Sequence, residues 1–153
     1  MATRILIFLA INFLALALGG LFTGSGVPST WYQQLDKAPW TPPGWMFGAA
    51  WTTIMVCYGV YMAYLWPRSA DRNLLLLVFS IQWILNVSWN PIFFHFHLVG
   101  LGLLVISLLA GVVLFQLLVF RHQAHWWSML LVPYAVWLVI ATSLNAYIVF
   151  NNQ

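Results

Sequence analysis

The stretch APWTPPGWMFGAAW, residues 38–51, decides how this chain folds. It holds three of the ten tryptophans and three of the seven prolines, and a long apolar segment follows it. Proline fixes its own φ and keeps the preceding residue out of the α region. Pro39 and the pair Pro42 and Pro43 therefore predict a stiff, extended connection as far as position 44 or 45. We expect a membrane-spanning helix to begin there.

The predicted helix has one face of aromatic and thioether side chains. At 100° per residue, four side chains fall within about 40° of Trp51, namely Phe47, Met55, Tyr58 and Met62. A tryptophan-rich rim above such a face suits the entrance to a pocket for a flat ligand. A membrane-interface aromatic belt above an ordinary core gives the same pattern, so both interpretations stay open.

The composition is that of a membrane protein. Of 153 residues, 63% are hydrophobic and 5% are charged, and the mean hydropathy is +0.92. A water-soluble domain carries several times more charge. A net charge of +3 is too small and too scattered for a nucleic-acid surface, and it suits loops beside anionic lipid headgroups. We expect membrane lipid as a partner and no nucleic acid.

Five apolar runs predict an all-α membrane protein with a five-transmembrane-helix bundle as its single domain, residues 1–153. A run of 18 residues spans about 27 Å as a helix, enough to cross the bilayer core. The first run also resembles a signal peptide, but its length favours a span. The predicted spans are about 5–22, 45–66, 73–94, 98–120 and 126–150, with a non-helical Trp/Pro-rich loop at 24–43.

The third span carries polar side chains on one face. At 100° per residue, these side chains lie within about 80° of arc from Gln82 or just behind Gln82. They are Gln82, Asn86, Trp89 and Asn90. A buried amide without a partner costs a few kcal/mol, so this face must meet another helix, water or a ligand. Pro91 is expected to kink the helix or to end its regular hydrogen bonding.

The fourth and fifth spans differ in character. The fourth is aliphatic, and small residues such as Ser107 and Gly111 predict a surface for helix packing or for an oligomer. The fifth again combines aromatic, small and amide side chains on one face, which is formed by Tyr134, Trp137, Ala141, Leu144 and Asn145.

The basic residues predict the orientation in the membrane. Five spans place the two termini on opposite sides. The side of the N-terminus carries four arginines, and the other side carries Lys37 alone. The positive-inside rule therefore predicts a cytoplasmic N-terminus. The four arginines are Arg4, Arg68, Arg72 and Arg121.

Several kinds of chemistry are excluded or unsupported. The only acidic residues, Asp36 and Asp71, are predicted on opposite sides of the membrane, which excludes catalysis by a carboxylate pair. The four histidines are scattered, so we expect no metal site, and no phosphate-binding loop or other cofactor motif is present. Neutral aromatic and amide faces on the second, third and fifth spans remain. They indicate either helix packing or a ligand pocket.

These residues resemble the tryptophan-rich sensory protein/translocator protein family, also called the peripheral-type benzodiazepine receptor family. The resemblance covers nearly the whole chain. It implies a five-helix bundle, commonly dimeric, that binds porphyrins and haem-pathway intermediates, isoquinoline carboxamides and, in animal members, cholesterol. The matching positions are Trp31, Tyr32, residues 40–44, Phe47, Trp51, Asn86, Trp89, residues 91–94, Tyr134, Trp137, Ala141 and Asn145.

The resemblance also implies the site. Trp51 and Trp137 match tryptophans implicated in light-driven porphyrin breakdown in some bacterial members, so they are catalytic only if that reaction occurs here. The animal cholesterol motif needs a Lys or Arg after its tyrosine, whereas no cation follows Tyr147, so we expect weak sterol binding. The implied ligand-binding residues are Tyr32, Pro42, Phe47, Trp51, Asn86, Trp89, Asn90, Trp137 and Ala141.

Three classes of function follow. The favoured class is a membrane sensor or transporter that binds tetrapyrroles, because the chain offers no general acid or base in its spans. An enzyme that degrades porphyrins and a structural membrane partner protein are the alternatives. A bound porphyrin is expected to keep its carboxylates at the mouth, near Lys37, with His95 and His97 as further partners.

Overall fold

The computed structural model describes residues 1–152, and within them the fold is helical with no β-strand. Five segments of that range are long and apolar enough to cross a membrane, which confirms the predicted all-α, five-helix membrane bundle. The helices are α1 (Ala2–Gly26), α2 (Thr30–Gln34), α3 (Gly44–Leu65), α4 (Arg72–Asn90), α5 (Val99–Val119), α6 (Arg121–Ala124) and α7 (Val132–Asn151). A π-helical turn, Pro91–His95, extends α4, and a 3₁₀ segment, His125–Leu131, precedes α7.

The loop between the first two spans differs from the prediction. Residues 24–43 were expected to be non-helical, but α1 continues to Gly26 and the short helix α2 forms inside the loop. Ser29 explains the second difference, because its Oγ accepts a hydrogen bond of 3.2 Å from the backbone N–H of Tyr32 and so caps the start of α2. The last membrane segment also begins earlier than predicted, at Arg121.

Prolines set the boundaries of two spans as predicted. Pro43 has an extended backbone, with φ −62° and ψ 148°, and α3 begins at the next residue. Pro91 has no N–H to donate, and the helix widens there into the π-helical turn, in which the N–H of Phe96 donates to the carbonyl of Pro91 at 3.0 Å. The regular bonding of the third span therefore ends at Pro91.

One end of the bundle has a dense aromatic core. Tyr58, Tyr61 and Tyr134 are fully buried there, on the part of α3 and α7 that lies away from α2. The hydroxyl of Tyr58 donates to Oε1 of Gln116 at 3.0 Å, and Nε2 of Gln82 donates to the hydroxyl of Tyr134 at 2.7 Å. Gln82, the first residue of the polar face predicted on the third span, is therefore buried in this core.

The small residues of α5 face in two directions. Ser107 and Gly111 are exposed, whereas Gly102 is buried. A Cβ added at Gly102 would lie 3.2 Å from Oδ1 of Asn145 on α7, so the missing side chain lets the two helices approach. An oligomer surface at the exposed pair stays a prediction.

Candidate functional site

A cavity of about 410 Å³ lies in the half of the bundle next to α2. Its walls come from α1, α3, α4 with its π-helical turn, and α7, and the loop that carries α2 forms its roof. Most wall groups are aromatic or aliphatic, and a few neutral amides lie among them, as is typical of small-molecule sites. The aromatic side chains are Tyr32, Phe47, Trp51, Trp89, Phe93 and Phe94.

Eight of the nine residues predicted to bind the ligand line this cavity, and Trp137 does not. Trp137 is buried behind Phe47, whose ring it meets edge-on with centroids 5.3 Å apart. Its indole nitrogen has no hydrogen-bond partner within residues 1–152. The residues that the structure brings together are Tyr32, Pro42, Phe47, Trp51, Asn86, Trp89, Asn90 and Ala141.

Asn145 ties three helices together at the cavity wall. Its Oδ1 accepts a hydrogen bond of 3.1 Å from the indole nitrogen of Trp89, and its Nδ2 donates to the carbonyl of Val99 at 2.9 Å. The Trp89 ring in turn stacks on Phe93, with centroids 5.1 Å apart and planes at 20°. The orientation of Trp89 in the cavity is therefore fixed on both its polar and its apolar side.

A second polar contact joins α1 to α4. Thr23 donates through Oγ1 to Oδ1 of Asn90 at 2.6 Å, and Nδ2 of Asn90 donates to the carbonyl of Asn86 at 3.3 Å. Gly19 makes room for this contact, because an added Cβ would lie 2.5 Å from Nδ2 of Asn90. A larger residue at position 19 must displace the amide.

Asn86 differs from the other two amides. Only 6% of its surface is exposed, it lines the cavity, and its side chain makes no hydrogen bond within residues 1–152. A buried amide retains its capacity for two donated and two accepted hydrogen bonds. Asn86 therefore offers free hydrogen-bonding groups to whatever occupies the cavity.

The roof carries the one ammonium group found among the cavity-lining residues of the described chain. Nζ of Lys37 donates to the carbonyls of Tyr32 and Gln33 at 2.9 and 3.2 Å, and it lies 4.9 Å from the centre of the Tyr32 ring. Burial raises the pKa of the Tyr32 phenol above its ordinary value, so that hydroxyl stays neutral at physiological pH. The roof of the cavity therefore combines one positive charge with a neutral hydroxyl.

The two histidines near the roof, His95 and His97, do not line the cavity. His97 has a φ of 56° and stacks on Trp31 with ring centroids 3.9 Å apart, and His95 is exposed beside Phe22. Their suggested role as further partners of a ligand carboxylate stays a prediction. Within residues 1–152, no three His, Cys, Asp or Glu side chains come together as metal ligands.

The roof is fastened at two points, one in the second half of α7 and one just after its end. The backbone N–H of Asp36 donates to Oδ1 of Asn152 at 2.8 Å, and Nδ2 of Asn152 donates back to the carbonyl of Asp36 at 3.1 Å. The indole nitrogen of Trp40 donates to Oγ of Ser143 at 3.2 Å, and its ring meets Tyr147 edge-on. The loop between the first two spans is therefore held on the bundle as a fixed cover.

The sequence prediction assigned no part of the site to α1. The structure adds Gly19, Gly20 and Thr23 from that helix, as well as Asn145 from α7. The Gly19–Gly20 pair near the end of the first apolar run, with Thr23 just after that run, was the available signal. Phe93 and Phe94 of the π-helical turn also line the cavity.

Fold and cavity together define a multi-pass α-helical membrane protein with an aromatic, amide-bearing chamber inside its bundle. The family model described as the TspO/MBR family matches residues 7–150. The chain therefore belongs to the TspO/MBR family.

Relatives from all three domains of life are similar over most of their length. The tryptophan-rich protein TspO of Archaeoglobus fulgidus is 32% identical, and the alignment covers 99% of this chain and 96% of the relative. Protein CrtK of Rhodobacter capsulatus is 32% identical over 89% and 87% of the two chains. The human translocator protein is 30% identical over 88% and 83%.

Proposed function

We propose that the cavity binds porphyrins and related tetrapyrroles, and that the protein acts as a membrane sensor or transporter of these compounds. The observation that carries the proposal is the pairing of aromatic walls on different helices. Phe47 and Trp51 on α3 line the same cavity as Trp89 and Phe93 of the third span. A flat π-system gains from such walls, since each aromatic pair contributes roughly 0.5–1.5 kcal/mol beyond the area it buries.

The polar groups match the rest of a porphyrin. Asn86 lines the cavity with an amide that makes no hydrogen bond within residues 1–152, and it is available to a polar group of the ligand. The two propionates need water or a cation, and Lys37 supplies a positive charge in the roof. Because the opposite end of the bundle is a dense core, the carboxylates would point towards the roof. The same amide would also suit the carbonyl of an isoquinoline carboxamide.

Titration of protoporphyrin IX into the purified protein in detergent tests the proposal. We expect saturable quenching of tryptophan fluorescence, weakened by Ala141→Thr and by Trp51→Ala because both residues line the cavity. Unchanged affinity in both variants would place the porphyrin elsewhere. Absorbance of the bound porphyrin is then followed in darkness and in light. A loss of absorbance that needs light and Trp51 would instead indicate the degradative enzyme.

The orientation in the membrane is part of the proposal. The four arginines lie at the N-terminal start of α1, in the connection from α3 to α4, and at the start of α6, which are the same end of the bundle. Lys37 lies at the other end, in the roof of the cavity. A cytoplasmic N-terminus would place the cavity and its roof in the outer half of the membrane.

A further inference from the structure

We propose that ligands reach the cavity sideways from the membrane, through a gap between α1 and α3 that glycines keep open. This gap is called the lateral gap below, and it is lined by Gly20 on α1 and by Gly44 and Gly48 on α3. The inference extends the proposed function by naming the route, and its test with protoporphyrin IX rests on that function.

Exposure of the lining residues shows where the cavity meets the surface. Every lining residue from α4, its π-helical turn and α7 is buried or half-buried. By contrast, Gly20, Gly44 and Gly48 are exposed, as is Gln33 in the roof. The cavity is therefore closed on the side of α4 and α7 and reaches the surface between α1 and α3.

The space beside the three glycines of the lateral gap is empty. A Cβ added at Gly20, Gly44 or Gly48 would meet no atom within 4 Å. Gly59, further along α3, is different, because an added Cβ would lie 2.8 Å from Cδ2 of Leu9 on α1. The two helices are thus in close contact at one level and separated at another.

Helix geometry shows that contact and gap lie on the same faces. Gly48 precedes Gly59 by 11 residues and Gly20 follows Leu9 by 11 residues. Eleven residues turn an α-helix by about 20° beyond three full turns and advance it by about 16 Å. The faces of α1 and α3 that touch at Leu9 and Gly59 therefore continue towards the loop as the two rims of the lateral gap.

On the side that faces water, hydrogen bonds hold the roof over the cavity. The roof is bound to α7 through Asp36 with Asn152 and through Trp40 with Ser143. It is also bound to the end of α1, because Nε2 of Gln33 donates to the carbonyl of Val27 at 2.8 Å. These contacts hold the roof in place, whereas no atom lies within 4 Å of a Cβ added at Gly20, Gly44 or Gly48.

The surroundings of the lateral gap are those of lipid. Leu21 beside Gly20 is 71% exposed, and Trp45 beside Gly44 is 72% exposed. Gly44 is the first residue of α3, Gly48 lies four residues further along it, and Gly20 lies six residues before the end of α1, so the opening extends from the helix ends to about 6–9 Å inside them. A flat amphipathic acid at this depth keeps its ring in the hydrocarbon and its carboxylates among the headgroups. Such a molecule is the ligand class that the lateral gap would admit.

Thiol labelling inside the cavity tests the route without any porphyrin. Ala141→Cys is made in a Cys57→Ser background and placed in lipid nanodiscs, because Ala141 lines the cavity from α7. We expect N-phenylmaleimide, which partitions into lipid, to label the introduced thiol faster than a permanently charged methanethiosulfonate does. Addition of Gly48→Leu should slow N-phenylmaleimide labelling by about tenfold, because the side chain fills open space in the gap. Gly24→Leu is the matched control, since Gly24 is exposed and open on α1 but does not line the cavity.

The kinetics of porphyrin binding give the second measurement. For protoporphyrin IX in nanodiscs, Gly48→Leu should lower the dissociation rate as well as the association rate, each by about tenfold, because a barrier in the gap slows both directions. Loss of affinity alone would mean that the leucine fills the binding site. That result, or rates equal to those of Gly24→Leu, would overturn the proposal.

The two hypotheses fail in different ways. If no variant and no parent protein binds protoporphyrin IX, the proposed function is wrong, and the labelling rates still decide the route. If the charged reagent labels the introduced thiol as fast as N-phenylmaleimide, and Asn152→Ala accelerates it further, access is under the roof and the lateral route is wrong.

Discussion

Trp89 and Asn145 are joined by a hydrogen bond of 3.1 Å from the indole nitrogen to Oδ1, across 56 residues of sequence. The bond connects the third span to the last one within the cavity wall. Because Asn145 also donates to the carbonyl of Val99 at the start of α5, one amide holds three helices. The aromatic wall and the assembly of the bundle thus depend on the same side chain.

Asn145→Ala should lower both stability and affinity. It leaves the Trp89 indole unpaired and removes the hydrogen bond to the Val99 carbonyl, and an unpaired buried group costs about 1–3 kcal/mol. Asn151→Ala is the control, since that amide bonds only to the carbonyl of Tyr147 on its own helix. Equilibrium unfolding and protoporphyrin IX titration check both effects. Equal behaviour of the two variants would contradict the role given to Asn145.

Ala141→Thr should weaken porphyrin binding through bulk. Ala141 lines the cavity, and overpacking a tight site costs about 1–3 kcal/mol, which is roughly ten- to a hundredfold in Kd. Ala146→Thr on the same helix is the matched control, because Ala146 is half-buried and does not line the cavity. Fluorescence titration distinguishes them, and similar affinities would remove Ala141 from the site.

Trp51→Ala should reduce porphyrin affinity more than Trp137→Ala does. Trp51 lines the cavity, whereas the ring of Phe47 lies between the cavity and Trp137. Loss of one aromatic contact corresponds to about two- to tenfold in Kd. Isothermal titration of each variant gives the ranking. A greater loss for Trp137→Ala would show that Phe47 moves aside when the ligand binds.

Gly26→Ala should destabilise the protein, and Gly24→Ala should not. An added Cβ at Gly26 would lie 2.6 Å from Cβ of Phe94, close to backbone that cannot move freely. Such overpacking costs about 1–3 kcal/mol. At Gly24 the added Cβ meets no atom within 4 Å, and alanine improves helix propensity by up to about 1 kcal/mol. Midpoints of thermal unfolding in detergent check the difference, and equal midpoints would disprove it.

Labelling at the C-terminus tests the proposed orientation. A cysteine appended after the last residue, in a Cys57→Ser background, should react with a membrane-impermeant thiol reagent on intact cells. A cysteine inserted before Arg4 should react only after lysis. The reverse pattern would place the N-terminus outside, against the distribution of the four arginines.

The backbone of the bundle is predictable from local physics. Long apolar runs give the spans, and the fixed φ of proline gives the start of α3 and the change of helix type at Pro91. The short helix α2 was missed because its five residues depend on one serine cap, a signal too local to stand out in a tryptophan-rich loop. The boundaries of the spans differ from the predicted ones by up to five residues.

The cavity was predictable only in part. Periodicity placed Trp51 and Trp137 on the faces that look inward, but it did not show that Phe47 packs between Trp137 and the cavity. That order depends on how α3 and α7 cross, which a single helix does not encode. The contribution of α1 was missed for a related reason, because Gly19 matters through the space it leaves for Asn90.

The buried tyrosines at the far end give the chamber a solid floor. Tyr58, Tyr61 and Tyr134 fill the bundle there, and the bonds to Gln116 and Gln82 hold two of their hydroxyls. A molecule lodged above this floor must leave on the side by which it came in, unless the tyrosine layer is dismantled. For the proposed tetrapyrrole ligand, this closed floor would favour a receptor, whose output is the occupancy of its site, over a pore, whose output is a flux.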